Sequence, residues 1–128
     1  MIIVQAIRSL SEIVNKYELF IVDQWGVMHS GHMGYPYAID CIEKLSNLNK
    51  QLIIISNSSK RKDIIIERLP KLGFQKNNFA EVMTSGEMIW QVLNSKSKKF
   101  SKQLGKNCYH LTDKKTQDYL KYEDGLDY

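Results

Sequence analysis

Read for its alternation of apolar and polar positions, the chain divides into short apolar runs separated by segments of helical period. Ile7, Leu10, Ile13 and Val14 share one helical face, which predicts a helix over residues 5–16. Leu19–Val22 is apolar throughout, too short and too rich in β-formers for a helix, and reads as a buried strand. Residues 29–36 (HSGHMGYP) carry two glycines and a proline that opens the next helix, over 37–49, with Ala38, Ile42, Leu45 and Leu48 at helical spacing. Residues 51–56 (QLIIIS) form a second strand, apolar on both faces as in the interior of a parallel sheet.

The run Ser56-Asn57-Ser58-Ser59 supplies cap residues for a helix over 60–71, striped by Ile64, Ile65, Leu69 and Leu72. Gly73 suits its stop, and Pro70 sits awkwardly near that end. Residues 81–87 (EVMTSGE) read as a third strand running into a helix over 86–94. Residues 106–111 predict a fourth strand, and 112–121 a last helix anchored by Tyr119 and Leu120; 95–105 is the most linker-like stretch. Strands alternating with helices predict an α/β fold: a three-layer, Rossmann-like parallel sheet joined by right-handed crossovers.

Composition narrows the classes. With 128 residues, 43% hydrophobic and 25% charged, the chain fits one soluble domain. The net charge of +4 comes largely from Lys-rich segments at 60–62, 96–102 and 114–115, read as solvated surface rather than a nucleic-acid site. Cys41 and Cys108 lack metal or CxxC spacing and read as buried, reduced thiols of a cytoplasmic protein. Arg8, Glu12 and Lys16 interrupt the apolar start before it makes a signal core or a membrane span.

In an open parallel sheet, ligands bind beyond the carboxyl ends of the strands. Those ends carry Asp23, then Ser56 and Asn57, then Thr84 and Ser85. A phosphate held at Ser56 would face Asp23, which suits either cation binding or nucleophilic attack on phosphorus. The plainer alternatives stand beside this: a turn role for Asp23, helix capping by Ser56–Ser59, and an N-cap at Thr84-Ser85. His29 and His32 read as turn or surface residues and His110 as structural.

Residues 21–31 (IVDQWGVMHSG), 53–62 (IIISNSSKRK) and 72–87 (LGF…VMTSGE), in this order and spacing, resemble the haloacid dehalogenase superfamily. The closer resemblance is to its sugar-phosphate, nucleotide and nitrophenyl phosphatases, which carry a large cap after the third strand. The likeness runs from about residue 17 to 121. It implies a Mg²⁺-dependent hydrolysis of phosphate esters through an aspartyl-phosphate on Asp23. The Trp25 backbone carbonyl would be a second metal ligand. Ser56 and Asn57, with the Gln24–Trp25 backbone, would bind the phosphoryl group of a small phosphorylated substrate.

Two departures qualify that implication. The position two residues after the nucleophile, where such phosphatases carry an acidic proton donor, holds Trp25. The family's later lysine and acidic motifs have no counterpart before residue 128; the YEDGLDY tail reads as a helix end, and Lys60 and Lys62 read as solvated. Residues 1–128 thus read as a single, incomplete core half-domain, with 95–128 approaching a missing cap. Weak or no turnover is expected of the isolated chain. The alternative reading is a non-catalytic remnant that binds an anion or a protein. A separate C-terminal half, or self-association through an exposed sheet edge, is the expected partner.

Overall fold

The computed structural model describes residues 6–94, together with 107 and 109. Three parallel strands, β1 (Leu19–Val22), β2 (Gln51–Ser56) and β3 (Glu81–Thr84), lie side by side in the order β1-β2-β3. Three helices follow them in turn: α1 (Pro36–Asn47), α2 (Lys62–Arg68) and α3 (Ser85–Asn94). The alternation read from the sequence is therefore the architecture: an α/β, Rossmann-like parallel sheet. The fourth strand and last helix expected over 106–121, and the linker at 95–105, lie outside the described residues, as does Cys108.

The register explains which face of the sheet is dry. Phe20 and Val22 stand level with Leu52 and Ile54, and Ile54 and Ser56 with Val82 and Thr84, so these side chains share one face. Both crossovers step in the same direction, so right-handed connections place α1 and α2 on one face, and their apolar residues pack with Leu52 and Ile54. Leu52 and Ile54 are fully buried there, against Ile42 and Leu45 of α1 and Ile65 of α2.

The opposite face corrects the sequence reading of strands buried on both sides. Leu19, Ile21 and Ile55 point to it and are 42%, 62% and 48% exposed. Among the described residues nothing pairs with the outer edge of β1. An all-apolar run records what a strand is built to bury, and among the described residues α1 and α2 cover one face of it.

Four smaller corrections have local causes. The helix expected over 5–16 is instead two 3₁₀ turns, Leu10–Glu12 and Val14–Lys16. Serine, asparagine and β-branched residues are weak helix formers, and only Val14 of these turns is buried, so packing does not compensate. The helix expected over 60–71 is α2 followed by a 3₁₀ turn, Leu69–Leu72. A proline inside an α-helix clashes with the carbonyl four residues back, and the tighter turn places Pro70 at its start. Leu48, placed on the apolar stripe of α1, is 54% exposed, and Cys41 is half-buried rather than buried.

Helix ends are set by backbone devices. Pro36 opens α1 at its first turn. Its far end closes with Asn49 in a left-handed conformation (φ 56°) while the Lys50 N–H donates to the Leu45 carbonyl at 3.0 Å. Gly73 (φ 92°) ends the 3₁₀ turn after α2 in the same way.

Candidate active site

Since all three strands run the same way, their carboxyl ends form one rim. Val22 is level with Ile54, and Ser56 with Thr84. Asp23, Ser56 with Asn57, and Thr84 with Ser85 therefore all emerge on it. Asp23 is exposed, and one of its carboxylate oxygens (Oδ1) accepts the Gln24 N–H at 2.8 Å, which aims the side chain and leaves Oδ2 open.

The loop after β1 is held by its own backbone. Gln24 is buried, and its carbonyl accepts N–H groups from Val27 (3.3 Å), Met28 (2.8 Å) and His29 (3.3 Å). Gly26 turns the chain at φ 80°, and its N–H donates to the His29 carbonyl at 2.9 Å. His29, read from the sequence as a turn or surface residue, is buried at 3% exposure. Its Nδ1 accepts the Gly31 N–H at 3.0 Å, so the imidazole is neutral and carries its proton on Nε2. Burial first, and the nearby Arg68 charge second, hold its pKa below the ordinary 6.5.

Trp25 completes this loop. Its ring meets His29 edge-on, with centroids 5.8 Å apart at 81°. It also lies against Gly31, where an added Cβ would come within 2.4 Å of the indole. Arg68, reaching across from the end of α2, donates to the Gly31 carbonyl. The indole remains 65% exposed. The Trp25 main-chain carbonyl accepts no hydrogen bond among the described residues.

The loop after β2 is held differently. Ser56 is buried, and its hydroxyl oxygen accepts the Ser58 N–H at 3.3 Å, leaving its own O–H to donate elsewhere. Asn57 is exposed on the rim. The Ser58 hydroxyl accepts the Lys60 N–H at 3.2 Å, so the serines shape a turn. They cap no helix: Arg61 occupies the N-cap of α2 and makes no capping side-chain bond.

The remaining fastenings come from the start of α3. Thr84 accepts the Glu87 N–H at 2.9 Å, the N-cap bond anticipated as one reading of Thr84-Ser85, and donates its hydroxyl proton to the Lys60 carbonyl at 2.5 Å. Glu87, only 2% exposed, accepts from Arg61 Nε at 2.7 Å and from the Lys62 N–H at 3.3 Å. The Arg61 guanidinium lies 3.6 Å from the centre of the Trp90 ring. Burial works to raise the Glu87 pKa, but the hydrogen bonds from Arg61, Lys62 and Gln91 and the Arg61 charge outweigh it and keep the group below its ordinary 4.5. Lys62, read as solvated, pairs with Glu81 at 3.1 Å.

Sequence reasoning placed Asp23, Ser56 and Asn57 on one rim, where they are found. The Gln24 N–H is instead spent on the Asp23 carboxylate. Missed were His29, Arg61 and Glu87. The Thr84-x-x-Glu87 spacing is a capping-box pattern and was a usable signal for the last; the Arg61 pairing, 26 residues apart, left none. Among the described residues no group of three or more His, Cys, Asp or Glu side chains is arranged to hold a metal ion, and no helix is long and apolar enough to cross a membrane.

Known proteins bear on this geometry. The family model of haloacid dehalogenase-like hydrolases matches residues 20–124. A solved haloacid dehalogenase-like hydrolase from Brucella suis superposes with a TM-score of 0.74 over 92% of this chain, at 23% identity, which speaks for the fold. A 4-nitrophenylphosphatase of Schizosaccharomyces pombe is 33% identical over 54 residues, 42% of this chain. A Caenorhabditis elegans protein named for the NipSnap proteins is 26% identical over 120 residues, 92% of this chain. The chain spans 40% of the solved structure and 22% and 18% of the two curated relatives. An aspartate closing the first strand, a serine closing the second, and a family match that starts within β1 and runs through both loops together show that the chain belongs to the haloacid dehalogenase-like hydrolases.

Proposed function

We propose that this chain carries the nucleophilic half of a phosphate-ester hydrolase. One observation supports the reading most: Asp23 stands exposed at the end of β1, on the same rim as Ser56, whose hydroxyl proton is uncommitted. In this reading an Asp23 oxygen attacks phosphorus, the bond from phosphorus to the ester oxygen breaks, and the leaving group departs with the electron pair. Water then cleaves the aspartyl-phosphate, releasing inorganic phosphate and restoring Asp23. Ser56 donates a hydrogen bond to a non-bridging phosphoryl oxygen, assisted by the Asn57 amide. Such positioning carries most of the work in phosphoryl transfer.

Haloacid dehalogenase-like hydrolases generally use Mg²⁺. The residues present fit the ion in part: the Asp23 carboxylate and the unengaged Trp25 carbonyl are two hard oxygen donors, and Mg²⁺ is content with few protein ligands when water and phosphate supply the rest. When bound it would neutralise charge between carboxylate and phosphate.

Trp25 has no acidic proton to give the leaving group. General acids typically contribute about 10²–10⁴-fold, so esters whose leaving groups are stable as anions, such as aryl phosphates, are the expected substrates. Among the described residues Cys41 is a free thiol, which fits the reducing cytoplasm. The test is Mg²⁺-dependent release of nitrophenolate from 4-nitrophenyl phosphate by the chain and by Asp23→Asn. Activity that persists in Asp23→Asn refutes the reading.

Among the described residues the outer edge of β1 is unpaired and Ile21 beside it is exposed, which favours a second reading. Here the chain acts as a half-domain that pairs along this edge, with a complementary half of the same fold or with another copy. Sedimentation across a concentration series tests this, and a chain that stays monomeric throughout refutes self-pairing.

A further inference from the structure

The segment Thr84–Glu87 contributes nothing to the chemistry above, yet four of its hydrogen bonds end on the loop that follows Ser56. The Gly86 N–H donates to the Ser58 carbonyl at 3.0 Å. A Cβ on Gly86 would lie 2.0 Å from the Ser59 carbonyl oxygen and 2.8 Å from that of Lys60, so only glycine admits the loop backbone here. The Thr84 hydroxyl donates to the Lys60 carbonyl, and the Glu87 carboxylate accepts from Arg61 Nε and the Lys62 N–H. Residues 58–62 are thus fastened, through either backbone or side chain, by three of four consecutive residues of the next strand–helix junction. Helix capping alone requires only the Thr84–Glu87 bond.

We propose that Thr84, Gly86 and Glu87 form a latch that sets the shape of the 57–62 loop, and that Gly86 and Glu87 are positioning residues for phosphate at Ser56 and Asn57. The inference rests on the phosphate reading of that rim and deepens it. Three kinds of restraint act on one short loop: a close backbone approach, a threonine hydroxyl used in both directions, and a buried ion pair. A loop bound by a single contact would swing about it; one bound at Ser58, Lys60, Arg61 and Lys62 has its shape determined. The serine hydroxyl and asparagine amide are then presented without reorganisation when phosphate arrives.

The test uses the ¹⁵N-labelled full chain, amide exchange as one readout and titration with inorganic phosphate as the other. In Gly86→Ala and Glu87→Gln, exchange at Ser58, Lys60 and Lys62 is expected to rise about tenfold, while Leu52 and Ile54 in β2 keep their protection. Phosphate affinity, followed by the shifts of the Ser58 and Lys60 amides, is expected to fall about tenfold. Thr84→Ser, which keeps the hydroxyl, should retain both properties, and Thr84→Val should lose them. If Gly86→Ala does not fold, Glu87→Gln and the Thr84 pair decide the matter.

Unchanged loop exchange overturns the latch. A loosened loop that binds phosphate as tightly as before also overturns it, because the contacts would then be structural only. A wild-type chain without phosphate-induced shifts refutes the phosphate reading itself, which is a different result from variants that bind as well as wild type.

Discussion

The two loops that bracket the proposed site are built on opposite plans. The loop after β1, residues 23–34, is knit largely by its own backbone: one carbonyl of Gln24 gathers three N–H groups, His29 is buried within it and Trp25 lies over it. Among the described residues Arg68 and the Leu72 carbonyl tie it to the end of α2 and the turn that follows. The loop after β2, residues 56–61, has two local serine bonds and is further held by Thr84 at the end of β3 and by Gly86 and Glu87 at the start of α3. The difference has a functional sense. The first loop carries Asp23, whose proposed attack on phosphorus demands one fixed geometry, and a turn knit mainly by its own backbone supplies most of it. The second carries the proposed recognition groups and takes its restraint from the neighbouring β3–α3 junction.

The largest break in this comparison is expected from Glu87→Leu. It leaves Arg61, 14% exposed, without its carboxylate inside the fold. Removing one partner of a buried ion pair typically costs about 3–5 kcal/mol. Urea unfolding should show a loss of about 3 kcal/mol, the lower end, because Trp90 still faces the Arg61 guanidinium. The 23–34 loop should keep its amide protection in this variant.

Gly31→Ala is the reciprocal test. Gly31 sits at φ 102°, and a Cβ there meets the Trp25 ring. Left-handed strain of about 1–2 kcal/mol is expected, with the indole displaced. In a Trp90→Phe background, where Trp25 is the single tryptophan, its fluorescence should shift while the exchange of residues 58–62 does not. A disturbance that spreads to the second loop would show that the first is not self-contained.

Acid separates the loops by window. The folded His29 pKa is lowered, so above 6.5 both folded and unfolded forms are neutral and its site is fully stable. As pH falls below 6.5 the unfolded chain takes up the proton first, and stability is lost down to the lowered folded value. Protonation would also remove the Nδ1 acceptor that holds the Gly31 N–H. Glu87, a lowered carboxylate, gives stability that is present above 4.5 and lost as pH falls towards its folded value. Amide exchange measured against pH should therefore loosen residues 24–34 first and 58–62 only below 4.5. His29→Gln should abolish the first step and leave the second.

How much of this was legible in the sequence follows the range of the interactions. β2 and the stripe of α1 were readable because apolar period is a local property, and the Asp23–Ser56 rim because parallel strands must end together. The 5–16 helix failed because Ile7 and Leu10, apolar in pattern, are left exposed at 39% and 38% and gain little from folding into one. His29 was misread because nothing in its flanking residues shows that Gln24 and Arg68 will enclose it. Arg61 and Glu87 are 26 residues apart, and no spacing rule pairs residues across a strand and a turn.

The smallest expected effect is the one that isolates burial as the cause. Lys62 neighbours Arg61 in sequence and also bridges to a glutamate of the third strand–helix unit, Glu81, at 3.1 Å. Both side chains of that pair are substantially open to water, at 30% and 48%, against 14% and 3% for Arg61 and Glu87. Exposed pairs are worth about 0–1 kcal/mol, so Lys62→Met should change urea stability by less than about 1 kcal/mol. Its main-chain N–H to Glu87 survives the substitution, so loop exchange should hold. A loss in Lys62→Met as large as that in Glu87→Leu would mean that charge alone fastens this loop, and that depth beneath the start of α3 adds nothing.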